Sequence, residues 1–190
     1  MYYVLSVSDD YPDNYYFKYD HAGSPNYLSF KSARLVGDLS LQPTFRLNGK
    51  IGIDRLMEHD FFMSDGGDFI SPKFAELIRA FAPNDVQLIE ATVFINNKKI
   101  NRFYIANILH SVACIDMKKS IYKPLIKSDP GGPKSFTRYE FIENSLESHD
   151  IVRCKEDLET IVVSEDLVQA CNRAAIKGIE FLRNGVSDYE

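Results

Sequence analysis

Two stretches of this chain, 93 residues apart, repeat each other without a gap. Ile70-Ser71 matches Val163-Ser164, Phe74-Ala75 matches Leu167-Val168, Ile78 matches Cys171, Ala82 matches Ala175, and Val86 matches Ile179. Leu88-Ile89 and Phe181-Leu182 close the correspondence. The shared plan is an apolar residue, a capping serine, a short helix, a turn and a strand. Ser71 and Ser164 each stand where a helix start wants a side-chain acceptor, followed by Pro72 in one copy and by Glu165-Asp166 in the other. Proline at that position loses no needed hydrogen bond, and acids face the positive end of the helix. Neither serine sits in a Gly-x-Ser-x-Gly elbow, so both read as structural caps rather than nucleophiles. The repeat is a building unit and performs no chemistry.

The elements around it have mixed character. Tyr3 to Val7 reads as a strand, and Asp9 to Asn14 as a polar loop. Tyr15 to Tyr19 resumes a β-like pattern up to a turn at His21 to Pro25. Asn48-Gly49 between Phe45-Arg46-Leu47 and Lys50 to Ile53 is a hairpin signal, because that dipeptide adopts positive φ angles readily. Phe74, Leu77, Ile78 and Phe81 recur at helical spacing and stop at Pro83-Asn84-Asp85. Val86 to Ile95 restores strand character, and Asn96 to Lys99 divides it from a partner beginning at Ile100, a second hairpin with a longer turn. Residues 103 to 117 fit a strand first and a helix or turn after it. Ser128 to Pro133 is an exposed loop, and Asn184 to Glu190 a frayed end.

Hairpins with a few short helices and no regular βαβ alternation predict an α+β fold, a mixed or antiparallel sheet containing the repeated Ser-capped helix-turn-strand unit. The 190 residues suffice for one compact domain, 1–190, or for two lobes, a β-rich 1–60 and an α+β 61–190 carrying the repeat.

Charge and spacing exclude more than they assign. The net charge of -5 repels a phosphate backbone, so nucleic acid is not a predicted partner, and a basic protein is an easier one. No apolar run approaches the length of a membrane helix and no secretory signal opens the chain, so no membrane partner is expected and the cytoplasm is the default compartment. Cys114, Cys154 and Cys171 form no close pair, and His21, His59, His110 and His149 lack ligand spacing, so neither a metal nor a cofactor is predicted. Gly131-Gly132 is flanked by prolines and followed by no Gly-Lys-Ser/Thr, which removes it as a phosphate loop. Glu140, Glu143 and Glu147 stand at helical intervals and, with Asp9, Asp10 and Asp13, are the candidate docking residues for a basic partner. The tyrosines from Tyr11 to Tyr27 suit either a core or an interface.

Taken together, these segments resemble the bacterial polymorphic-toxin immunity proteins of immunity family eleven. The resemblance is carried by Asp60-Phe61-Phe62, by Ile70-Ser71-Pro72-Lys73-Phe74, and by the order of Tyr104, Asn107, Asp116 and Ser120. Val163 to Leu167 and Gly178 to Phe181 continue it, and Gly23 and Pro25 match an early Gly-x-Pro. It implies protection by stoichiometric binding to a cognate toxin, encoded next to the protein, with no turnover. Two other classes stay open: an enzyme whose carboxylates and histidines meet only on folding, and a small-ligand adaptor with one enclosed apolar cavity.

Overall fold

Alternation of side chains decides where each strand lies. The computed structural model describes residues 1–50 and 52–183, and only the backbone of Asn101 and Arg102. The predicted arm at Ile51 and the end from Asn184 to Glu190 lie outside the described residues. The strands are β1 (Tyr2–Val7), β2 (Lys18–Tyr19), β3 (Thr44–Leu47), β4 (Phe61–Phe62), β5 (Phe69–Ile70), β6 (Val86–Ile95) and β7 (Lys98–Ile108). They continue as β8 (Ser111–Val112), β9 (Ile121–Pro124), β10 (Lys134–Arg138), β11 (Ile151–Cys154), β12 (Ile161–Ser164) and β13 (Ile179–Leu182). The helices are α1 (Ile53–Leu56), α2 (Pro72–Phe81) and α3 (Glu165–Arg173). This is an α+β fold with a six-stranded sheet, β2-β3-β6-β7-β5-β4, a five-stranded sheet, β13-β1-β12-β11-β8, and a separate β9-β10 hairpin.

Between the two sheets lies one core to which both copies of the repeat contribute: Ile70, Phe74 and Ile78 from one, Val163, Leu167 and Cys171 from the other. Neighbouring strand residues point the opposite way. Phe62, Phe69 and Phe103 fill an aromatic core on the outer face of the six-stranded sheet, and Val152 and Val162 fill a smaller one beyond the five-stranded sheet. A period of two thus serves two cores per sheet.

The repeat extends well beyond the ungapped match. One sheet contains β4-β5-β7-β6 and the other β11-β12-β1-β13, with every pairing antiparallel. The registers correspond: Ile70 faces Tyr104 as Val163 faces Tyr3, and Ile89 faces Ile105 as Leu182 faces Val4. Leu109 N–H donates to Asp85 O, and Ser8 N–H donates to Gly178 O, at matching positions past the strand ends. Strand β1, from the start of the chain, therefore takes the place in the second unit that β7 takes in the first. The sheets do not divide the chain at residue 60, because β1 lies beside β12 and β13.

A carboxylate closes each unit. Ser71 Oγ accepts from Phe74 N–H at 3.1 Å and donates to Asp60 Oδ1 at 2.6 Å, while Asp60 O accepts from Ser71 N–H at 2.9 Å. Ser164 Oγ accepts from Leu167 N–H at 3.1 Å and donates to Asp150 Oδ1 at 2.5 Å, and Asp150 O accepts from Ser164 N–H at 2.9 Å. The intervals differ, 11 residues from Asp60 to Ser71 and 14 from Asp150 to Ser164. That difference hides the earlier part of the repeat, including His59-Asp60 and His149-Asp150, from an ungapped comparison.

Several local expectations need correction. Among the described residues Asn48-Gly49 joins no hairpin: β3 runs parallel to β6, and α1 begins at Ile53. The Asn96 side chain takes the bonds a second arm would supply, accepting from Gly49 N–H and donating to Gly49 O, each at 2.9 Å. The β6-β7 turn is shorter than expected, with Asn96 and Asn97 alone at its tip, both at positive φ (47° and 65°). Residues 103 to 117 contain strand and turn but no helix, because Phe103 and Ile105 fill the aromatic core while Ala106 and Ile108 fill the central one. Glu140, Glu143 and Glu147 lie on no helix; Glu140 follows β10 in an irregular stretch and a turn carries the other two, with Asn144 and Glu147 at φ 56° and 53°.

Ser71→Ala should cost about 2–3 kcal/mol, since a cap of about 1 kcal/mol goes and the buried Asp60 loses a partner worth a further 1–2. Ser164→Ala should cost less, because Asp150 is only part-buried. Urea denaturation of the two variants checks the order. Deleting residues 1–8 should abolish cooperative folding. A permutant carrying those residues after Glu190 through a flexible linker should restore a sharp thermal transition by circular dichroism. A truncated chain that melts like the intact one would show that β1 is dispensable.

Candidate interaction surface

The side chains most able to perform chemistry are engaged in holding the fold. The Ser71 and Ser164 hydroxyls donate to carboxylates and cap helices. Folding does bring two histidines together. His149 Nδ1 lies 2.8 Å and His110 Nε2 3.8 Å from Asp85 Oδ1, and His110 Nε2 is also 3.0 Å from Asn84 O. Spacing along the chain missed this group because its members come from three segments; the repeated His-Asp dipeptide was the available signal.

A metal ion sits near the plane of each imidazole it binds. Here the two rings stack at 4.0 Å with planes 25° apart, so their in-plane lone pairs run side by side rather than converge. The arrangement suits hydrogen bonding to Asp85, whose other oxygen accepts from Asp150 N–H at 2.7 Å. Cys114 and Cys154 are fully buried with sulfurs 2.8 Å apart, near Glu156. The hydrogen bond with Cys114, then burial, pushes the Cys154 thiol far up, which disfavours the free thiolate that attack on an electrophile would need. Burial, then the charge of Asp60, pushes Cys171 up to about 12.

The described cavities also differ from the adaptor alternative. An enclosed apolar void in the central core holds about 10 Å³, too little for a ligand. A hollow of about 460 Å³ is open and mixed in polarity, with Tyr2, Phe141 and Ile142 beside Glu140, Glu143 and Arg183.

The predicted docking residues fall in two places. Asp9 and Asp10 lie in the loop after β1, where their charge reaches Glu180 on β13, and Asp13 is exposed in a 3-10 turn. Glu140 is held by Arg138, with Nε and Nη2 at 3.0 and 2.5 Å from its Oε1, whereas Glu143 and Glu147 are exposed. The tyrosine-rich segment splits: Tyr11, Tyr15 and Tyr19 are core, with burial first raising Tyr19 to about 12, and Tyr16 and Tyr27 are half-buried.

Sequence reading passed over the β9-β10 hairpin. Ile121, Leu125 and Ile126 are 56%, 65% and 51% exposed, and lysines stand among them. Its root is held at Glu140, whose carbonyl accepts from Asp116 N–H at 2.7 Å and whose N–H donates to Ser120 Oγ at 2.9 Å. The Asp116 carboxyl is opposed by desolvation, but hydrogen bonds from the Lys118 and Lys119 amides and the charge of Lys119 outweigh it and hold it below the usual range.

Burial, then Asp9 and Asp10, raises the Glu180 carboxyl. A raised carboxyl contributes stability below its unfolded pKa, near 4.3, and that contribution is lost as pH rises through the folded value. Glu180→Gln should therefore stabilise the protein at pH 7 by less than about 1 kcal/mol, with the gain vanishing below about pH 4. Thermal midpoints of both proteins across that range provide the check.

Among the described residues no helix is long and apolar enough to cross a membrane. No curated protein matches the sequence. The immunity protein family Imm11 matches over residues 9–185, taking in both copies of the repeat, the aromatic core, the histidine pair and the β9-β10 hairpin. The chain thus belongs to the Imm11 immunity protein family.

Proposed function

We propose that this protein neutralises a cognate toxin by forming a stable stoichiometric complex with it, without turnover. Membership of an immunity family across residues 9–185 is the observation that carries the reading. The engagement of Ser71, Ser164, His149, Cys114 and Cys154 in internal bonds supports it, since each has a role in holding the fold. The partner is a protein encoded beside this one, met in the cytoplasm.

The acidic residues take the role of rim charges, which set encounter rate and salt dependence more than affinity. Asp9, Asp10, Asp13, Glu143 and Glu147 carry it, with Glu140 contributing less because Arg138 neutralises it. Reversal of Glu143 and Glu147 to lysine should slow association by up to about tenfold while leaving dissociation nearly unchanged, and high salt should erase the deficit. Co-expression with the toxin encoded alongside tests the central claim. Survival accompanied by a co-purifying complex is expected. Survival without a complex, with the toxin's product chemically removed, would put an enzymatic antidote in its place.

A further inference from the structure

The charge on this protein is unevenly distributed. Residues 117–138 hold six cations, Lys118, Lys119, Lys123, Lys127, Lys134 and Arg138, against the single acid Asp129, on a chain whose total is -5. Lys119 is paired with Asp116 and Arg138 with Glu140. Lys118, Lys123 and Lys127 have no carboxylate within ion-pair distance among the described residues.

The hairpin that carries them joins neither main sheet. The ring of Tyr122, 38% exposed, lies 5.4 Å from that of Phe136, which stacks on Tyr139 at 4.8 Å and fixes the hairpin to the body. Strand alternation then sends Ile121 and Lys123 outward, and Leu125 continues that face where its N–H donates to Pro133 O at 2.8 Å. Lysines alone would blunt an exposed strand edge. Large aliphatic side chains on the same outward face do the opposite, since they keep apolar surface in water.

We infer that the outer face of the β9-β10 hairpin is a docking surface for an acidic protein face, an apolar patch ringed by Asp and Glu, and that the toxin supplies it. This rests on the immunity reading above. Apolar contact through Ile121 and Leu125 supplies affinity, and the unpaired lysines orient the encounter. A protein fits better than the other anionic surfaces. A lipid-inserting hairpin would carry its apolar residues at the tip, but the tip, Ser128 to Pro133, is polar. A nucleic-acid strand would need aromatic rings on the docking face to stack on, and alternation gives that face Ile121, Lys123 and Leu125, with Tyr122 beside Phe136 on the other.

The test uses the full chain and the toxin module encoded beside it, inactivated, with binding followed by surface interferometry in low and high salt. Ile121→Asp with Leu125→Asp should weaken binding about 100-fold, chiefly by faster dissociation. Lys118→Glu with Lys123→Glu and Lys127→Glu should slow association about tenfold in low salt and little in high salt. Leu28→Asp, on exposed apolar surface elsewhere, should leave binding unchanged, and circular dichroism should show all variants folded. If the intact chain binds and both hairpin variants bind within twofold of it, the hairpin inference fails and the immunity reading stands. Failure of the intact chain to bind sinks both. If the lysine variant loses binding only to phosphatidylserine vesicles while toxin binding persists, the hairpin is a lipid contact and the inference is wrong.

Discussion

The two halves of this fold are held in register by aspartates that each bond to two other chain segments. Asp60 takes the Ser71 hydroxyl on one oxygen and the Lys177 N–H on the other, and its own N–H donates to Lys177 O. The first unit's opening residue is thus tied to the turn after the second unit's helix. Asp150 binds Ser164, and its N–H donates to Asp85, in the turn after the first unit's helix. The ties are reciprocal, as a pseudo-twofold requires. The starts of α2 and α3 and the entries to β4 and β11 are fixed by them, because a shift of either turn would strand a buried charge without its hydrogen bonds.

The symmetry breaks where one of those turns has no side chain. Asp85 corresponds to Gly178, which sits at φ +77°, a conformation that glycine adopts without cost. His149 therefore finds a carboxylate, whereas the buried His59 Nδ1 has no hydrogen-bond partner and lies 3.0 Å from where a Cβ on Gly178 would stand. Tyr11 and Tyr15 pack their rings against His59 instead, at 5.0 and 5.9 Å. A polar junction in one unit is matched by an aromatic one in the other. The two units also carry different additions: an aromatic layer with a buried Phe45-Phe69-Phe103 stack on the first, and the β9-β10 hairpin with its supporting Phe136-Tyr139 stack on the second.

Sequence reading recovers what local chemistry determines. The serine, the proline or acids after it, and the spacing of Phe74, Ala75 and Ile78 define a helix start whatever surrounds it, and α2 and α3 stand where those signals place them. It fails where a distant partner decides. Asn48-Gly49 has the composition of a hairpin turn, yet the Asn96 amide satisfies Gly49 from another turn. The Asp85, His110 and His149 group and the fully buried Arg153, paired with Asp68 across the sheets, carry no spacing signal because each is assembled between segments. The hairpin was overlooked for a different reason. Its lysines were averaged into a negative total, and net charge is blind to how charge is distributed.

That distribution changes what electrostatics can do for recognition. A uniformly acidic protein attracts a basic partner from any side, which speeds encounter but leaves orientation to short-range contact. Here cations follow one hairpin, while Glu143 and Glu147 lie just beyond its second strand and Asp9, Asp10 and Glu180 share a separate corner. Arg138 and Glu140 mark the boundary, held to each other at the hairpin's root. A partner with the inverse pattern is pulled in and turned at once, and one with uniform charge of either sign meets repulsion on part of the footprint. The same architecture that makes the two units alike inside permits them to differ outside, since the pseudo-symmetric core is built from short-range packing and carboxylate ties, and the charged additions sit on top of it without entering it.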